Sequence, residues 1–190
     1  PCNTFAPAQE AASSLLGSAR IEVIDTGFMG AATGAIAVAA ARAARDGADG
    51  AQVIRLVRGL IPHTYTAFYV DSVATMRRSG ALRSGDPLLV ASNTARPLFI
   101  MEEGAITQQL RVRKKGTPLE RLVEFVGEFL TIERLIMGHS GLVPEASDLR
   151  DALAALARAA AVEEHIYGPA TGALLGPKAL GVVVIEGHSA

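Results

Sequence analysis

The apolar positions of this chain change their period about a third of the way along. Up to residue 62 they recur mostly at helical spacing. Residues 7–17 collect Ala and Leu on one side and predict a helix. Ile21–Asp25 reads as a short strand, and the run Phe28–Ala41, closed by Arg42, as a helix of small residues that stops near Asp46-Gly47. From about Ala51, the spacing of Val53, Ile54, Val57, Leu60 and Ile61 predicts another helix, ended by Pro62. One strand among these helices cannot satisfy its own backbone as a sheet. Ile21–Asp25 is therefore expected either to join strands of the second half or to have its partners upstream. The opening Pro1-Cys2-Asn3-Thr4 has no initiator Met, basic leader or signal-like apolar segment, and reads as a chain entered midway.

From Tyr65 the period shortens towards two. Tyr65–Val70 predicts a strand with aromatics on alternating sides, followed by a short helix through Val73 and Met76. Leu98–Met101 and Ile106–Arg113 predict a hairpin around Glu102-Glu103-Gly104. In its second arm Ile106, Leu110 and Val112 share one face, while Thr107, Gln109, Arg111 and Arg113 share the other. Thr117-Pro118-Leu119-Glu120 is a capping box with proline at the first helical position. Behind it Leu119, Leu122, Val123, Val126, Phe129 and Leu130 form one apolar stripe. Ile132–Met137 predicts a strand, and Leu149, Leu153 and Leu156 carry a helix over roughly 145–160. Val162–Tyr167 and Leu180–Ile185 are the last strands, the second apolar throughout as a central strand is.

These elements predict an α/β chain in two parts. Residues 1–62 read as a partial α/β domain with a parallel-sheet remnant. Residues 63–190 read as a two-layer α+β domain with a mixed, mainly antiparallel sheet and helices on one face.

Composition narrows the function classes. At 190 residues and 49% hydrophobic content, the chain has ample material for a core. A net charge of -1 does not fit a wholesale binder of nucleic acid or acidic membranes. The single cysteine, Cys2, excludes a disulfide framework within one chain and fits a reducing cytoplasm. The uncharged run Phe28–Ala41 is shorter than the roughly 20 residues needed to span a bilayer, so no integral membrane segment is expected.

Among candidate chemistries, Asp25-Thr26-Gly27-Phe28-Met29-Gly30 lies between a predicted strand and a helix, where a nucleotide-dependent oxidoreductase would carry G-x-G-x-x-G. Asp25 replaces the first glycine, which resists the required backbone geometry and sets a carboxylate near the phosphates. No second strand follows with an acidic ribose ligand. Small residues that let a helix pack tightly on a sheet explain the segment better. Gly138-His139-Ser140-Gly141 is a near miss for G-x-S-x-G and reads as a strand-end turn. His63, His139, His165 and His188 are widely separated, with no pair at ligand spacing, so no metal is expected. Two basic groups, Arg77-Arg78 with Arg83 and Arg111-x-Arg113-Lys114-Lys115, read as solvated ends or as a patch for an anionic head group or acidic partner. They lack interleaved aromatics, so nucleic acid is not an expected partner.

The run Gly168-Pro169-Ala170-Thr171-Gly172-Ala173-Leu174-Leu175-Gly176-Pro177-Lys178-Ala179-Leu180-Gly181-Val182 resembles the ending of the DegV family, roughly G-P-x-I-G-x-H-x-G-P-G-A-L-G-V. Other pieces follow in the family's order. Val23-Ile24-Asp25-Thr26 resembles its V-I-D-S/T element. Phe68-Tyr69-Val70-Asp71-Ser72 up to Ser79-Gly80 resembles the segment leading to its K-G-G-R-I, and Arg96-Pro97-Leu98-Phe99-Ile100 resembles its K-P-I-L strand. The likeness spans nearly the whole chain, but the family's opening strands have no counterpart in it.

The resemblance implies a non-enzymatic, cytoplasmic carrier that holds one fatty acid or similar lipid between two parts of the fold. It implies no cofactor besides that ligand. Its expected partner is an ATP-dependent fatty-acid kinase to which the carboxyl group is presented. The lipid-contacting positions it implies are Thr4, Phe5, Thr26, Phe28, Met29, Gly30, Pro97, Leu98, Arg111, Leu174, Gly176 and Pro177, with Thr4, Thr26, Arg111 and Lys178 as possible head-group donors. Several family positions are altered. The serine, glycine and threonine of an S-x-x-S-G-T-like segment become Phe5, Ala6 and Pro7, the C-terminal histidine becomes Leu174, and the last glycine of G-P-G becomes Lys178. A third possibility is an interaction scaffold that kept the fold and lost the ligand.

Overall fold

The computed structural model describes residues 4–15, 17, 20–82, 98–102, 104–108, 117–156 and 161–187. Helix α1 (Phe5–Ser14) buries no residue. Helix α2 (Ala31–Arg45) buries Ala32, Ala35 and Ile36, and its small side chains let it lie close to its neighbours. Helix α3 (Gly50–Leu60) packs beside it and opens on a capping box, in which Gln52 N–H donates to Asp49 Oδ1 (2.8 Å) and Asp49 N–H to Gln52 Oε1 (2.7 Å). A 3-10 turn, Ile61–His63, leads into strand β1 (Thr64–Tyr69).

The remaining elements are α4 (Val73–Arg78), β2 (Leu98–Glu102), β3 (Ala105–Gln108), α5 (Pro118–Gly127), β4 (Ile132–His139), α6 (Ala146–Leu156), β5 (Val162–Ile166), α7 (Pro169–Leu175) and β6 (Leu180–Glu186). The capping box expected at Thr117 is present: Glu120 N–H donates to Thr117 Oγ1 (3.2 Å) and Thr117 N–H to Glu120 Oε2 (2.8 Å).

Six strands form one sheet in the order β3-β2-β1-β6-β4-β5. Every pairing is antiparallel except β4 with β5, which α6 connects as a βαβ unit. Strand β6 is central and buried along nearly its whole length, as its unbroken apolar run predicts.

Three expectations need correction. Ile21–Asp25 is not a strand of this sheet, whose strands all come from residues beyond 63. It is an irregular segment held near α3 by the Arg58 Nη2–Glu22 Oε1 pair at 3.2 Å. Helices lie over both faces of the sheet rather than one. One core joins α5 and α6 to Ala67, Tyr69, Leu98, Ile100, Leu135, Met137, Leu180, Val182 and Val184. The other joins α2, α3, α4 and α7 to Phe68, Phe99, Met101, Ile136, Val183 and Ile185. Period-two alternation divides the strands between them, so strands apolar on both sides need cover on both. Finally, Leu130 is 99% exposed, because α5 ends at Gly127 and the chain turns away before it. Phe125 takes its place in the core at 6% exposure, edge-on to Phe129 at 5.3 Å.

An ion pair fastens the second core. Arg134 of β4 makes two hydrogen bonds to Glu163 of β5, Nε–Oε1 at 2.8 Å and Nη2–Oε2 at 2.7 Å. Its Nη1 donates to the carbonyl of Ala35 in α2 at 3.3 Å, tying that helix to the sheet.

Candidate functional site

Strand register sets glycines side by side on the face beneath α2. Phe68 of β1 pairs with Gly181 of β6, Gly181 with Gly138 of β4, and Gly138 with His165 of β5. One row further along, Thr66 pairs with Val183 and Val183 with Ile136. Two adjacent glycines leave a trough where neighbouring rows carry bulky side chains.

The two glycines differ. A Cβ on Gly181 would stand 2.7 Å from Phe68 Cβ and 2.8 Å from the Ala67 carbonyl, so β1 and β6 approach too closely for any side chain. A Cβ on Gly138 would meet nothing within 4 Å and would project into open space.

That space is a cavity of about 60 Å³, floored by Gly138, Gly181, Thr66, Phe68 and Val183 and roofed by residues of α2, α7 and their flanks, including Met29, Gly30 and Thr171. Its lining reaches from β1 to β5, three strand gaps or roughly 14 Å. At the β5 end the Tyr167 hydroxyl donates to the Gly176 carbonyl (2.8 Å) and accepts from Ala179 N–H (3.0 Å), pinning the turn between α7 and β6. Gly176 holds a φ of 94°, a left-handed conformation that favours glycine, and packs against Thr75 of α4. Gly30, the residue before α2, holds a φ of 58°, and a Cβ there would meet Thr171 Oγ1 at 3.3 Å.

Of the sequence-predicted positions, Met29 and Gly30 line this cavity. Phe28 is buried in the same core, and Leu174 and Met29 pack against it partly buried. Gly176 is buried and Pro177 and Lys178 exposed at the turn after α7. Leu98 points into the core on the opposite face, because the pleat gives Phe99, not Leu98, to the cavity side. Thr26 lies away from the glycine trough: its Oγ1 sits 3.2 Å from Thr33 Oγ1, in the groove between α2 and α3. Thr4 is exposed and Phe5 partly exposed at the start of α1. Pro97 and Arg111 lie outside the described residues, as do Cys2, Arg83, Arg113, Lys114 and Lys115.

The predicted lipid-contacting positions did not include Thr66, Gly138, His165, Tyr167, Thr171 or Gly181. The available signal was glycine inside two strands, which marks close backbone approach or a ligand, but only register shows that the two are neighbours.

A wider groove of about 850 Å³ runs between α2, α3 and residues Arg20–Thr26. At its end, Gly27 N–H donates to Asp25 Oδ1 at 2.9 Å, so the Asp25 carboxylate closes a local turn. With no strand before that turn, the segment lacks the strand–turn–helix frame of a dinucleotide site.

The Gly138-His139-Ser140-Gly141 turn is likewise committed to structure. Gly141 N–H donates to His139 Nδ1 (3.0 Å), which puts the ring proton on Nε2, 2.7 Å from Glu164 Oε1. Glu164 in turn lies 3.6 Å from Arg150 Nη1. Ser140 Oγ accepts from Leu142 N–H at 3.1 Å, so no serine–histidine pair forms. Among the described residues no cluster of His, Cys, Asp or Glu could hold a metal, and no helix is long and apolar enough to cross a membrane.

Comparison with known proteins agrees with this architecture. The chain is 30% identical over 172 residues to a DegV domain-containing protein of Streptomyces coelicolor, covering 86% of this chain and 59% of that relative. It therefore spans less than two thirds of that relative's length. A solved fatty acid binding DegV family protein of Streptococcus agalactiae superposes with a TM-score of 0.82 at 20% identity, over 97% of this chain and 66% of the other. DegV of Bacillus subtilis, described as a fatty acid binding protein, gives 0.79 at 24% identity, over 96% and 66%. The family model described as "Uncharacterised protein, DegV family" matches residues 2–187, and with so nearly complete a match the chain belongs to the DegV family.

Proposed function

We propose that this chain carries a lipid, a long-chain fatty acid or similar amphiphile, with its acyl chain laid in the trough over Gly138 and Gly181. The observation that carries this reading is the paired-glycine floor beneath a largely apolar roof. Each methylene moved there from water contributes about 0.8 kcal/mol, so an apolar slot supplies most of the affinity without any reactive group. The fatty acid binding relatives with the same fold support it.

At about 60 Å³ the trough is small. Ligand sites usually measure roughly 300–1,000 Å³, so binding requires the roof to open. Met29 and Leu175 are the side chains best suited to move, methionine above all because its unbranched stem adapts to an irregular partner. In this reading the protein is a carrier rather than a catalyst, and it presents the ligand's carboxyl group to a separate ATP-dependent fatty-acid kinase. Arg77 and Arg78, at the end of α4 beside the Leu174–Lys178 turn, supply positive charge for that acidic head group or partner.

The test is uptake of radiolabelled hexadecanoic acid by the wild type and by Gly138→Val, whose added side chain projects into the open space above the floor. Binding by the wild type, weakened at least about tenfold in the variant while its thermal unfolding is unchanged, is expected; tenfold corresponds to 1.4 kcal/mol. Equal binding by the two proteins, or none by the wild type, overturns the reading. The kinase step is checked separately, by acyl-phosphate formation with ATP and the kinase in the presence of the loaded protein.

A further inference from the structure

We propose that the trough selects acyl chains bearing an oxygen function along the chain, a hydroxy or oxo group, and that Thr66 is the residue that reads it. This rests on the lipid reading above and names the class of lipid. Two threonines of β1 face the same side of the sheet. Thr64 is 2% exposed, and its hydroxyl donates to the Leu60 carbonyl at 2.8 Å, closing the junction between α3 and the strand. Thr66 has no such use. Its Oγ1 is buried and has no hydrogen-bond partner among the described residues, yet the residue lines the trough.

A buried hydroxyl without a partner disfavours the state that contains it, and an isosteric valine would avoid the penalty. Apart from Thr64, whose hydroxyl is already engaged, the neighbours of Thr66 on that face are apolar: Phe68 along the strand, and Met101 and Val183 across it. Among the described residues no protein group explains a hydroxyl there, whereas a ligand oxygen would complete its hydrogen bonding. His165, at the other end of the trough, makes no side-chain hydrogen bond or ion pair among the described residues, and it leaves that end to the ligand's head group. An occupant would then place its carboxyl group towards β5 and its chain oxygen towards β1, roughly 14 Å away.

The experiment is competitive displacement of a fluorescent fatty acid from the purified chain. The competitors are hexadecanoic acid and a positional series of its monohydroxy derivatives. One isomer is expected to bind about tenfold more tightly than the plain acid, the scale of one well-made buried hydrogen bond. Thr66→Val should bring the affinity ratio between the preferred isomer and hexadecanoic acid to about one, and Thr66→Ser should restore the tenfold ratio. Wild type that binds every isomer no better than the plain acid overturns the proposal and leaves the lipid reading standing. So does a Thr66→Val variant that retains the preference. Failure to bind any acid removes both.

Discussion

On the face covered by α5 and α6, strands β4 and β6 present Leu135, Met137, Leu180, Val182 and Val184, each at most 1% exposed. On the face covered by α2 and α7, the same strands present Ile136, Gly138, Gly181, Val183 and Ile185. The backbone and register are shared, and α5 and α6 meet the first set with Leu122, Phe125, Val126, Leu149 and Leu153. The second set meets Phe28, Ile36 and Leu175, but also the small residues Ala32, Ala35 and Gly30. The first face is filled by large side chains at each of these positions of the two strands. The other has had side-chain volume removed from both floor and roof, which is how a protein keeps room for something else without disturbing its ladder of hydrogen bonds.

The comparison breaks most visibly by truncation on the filled face. Leu135→Ala, at a fully buried site, is expected to cost about 2–5 kcal/mol, read from the shift of the urea midpoint. If the other face is built around space, adding to Gly138 should cost little: Gly138→Ala is expected to leave the midpoint within about 0.5 kcal/mol of wild type. A loss at Gly138 comparable to that at Leu135 would mean that the trough is packed in solution.

Gly181 sharpens the point, because it lies on the same face, directly across from Gly138. Its absent side chain is required by the approach of Phe68 and the Ala67 carbonyl, not by open space. Gly181→Ala is therefore expected to destabilise by about 1–3 kcal/mol through overpacking between β1 and β6. Equal behaviour of the two alanine variants would show that the floor glycines serve one purpose.

Much of this architecture was legible in the residue pattern. The strands from Thr64 onward, the Thr117 capping box and the central position of β6 follow from alternation, cap chemistry and an unbroken apolar run. Ile21–Asp25 was misread because a short apolar run has the composition of a strand whether or not a partner strand lies beside it. The residue pattern predicted α2 as a small-residue helix packed on a sheet, but not that it covers the second face of this sheet, because α2 is built from alanine. An alanine-rich face gives a weak amphipathic signal even where, as at Ala32 and Ala35, it is fully buried. The trough is a property of register: Gly138 and Gly181 are far apart in sequence, and nothing local to either says that they pair.

A further small effect concerns how the roof is held. Arg134 bridges Glu163 in β5 to the Ala35 carbonyl in α2, on the face that carries the trough. The hydrogen bond from Arg134, with its charge, holds the Glu163 carboxyl below the ordinary carboxylate range, and the same bond raises Arg134. A carboxyl with a depressed folded-state pKa contributes stability that is present above the unfolded value, about 4.3, and is lost as pH falls through the lower folded value. Because the Glu163 side chain is 47% exposed, solvent screening keeps the contribution within the roughly 0.2–1 kcal/mol of exposed pairs. Wild type and Glu163→Gln should thus differ in urea midpoint at pH 6 and converge towards pH 3, while Leu135→Ala keeps its deficit at both. If binding requires α2 to lift from the sheet, the same glutamine variant should load lipid faster at neutral pH, since one anchor of the roof has been loosened. An unchanged loading rate alongside the expected pH dependence would place the moving part in α7 and its flanking turn, leaving α2 fixed.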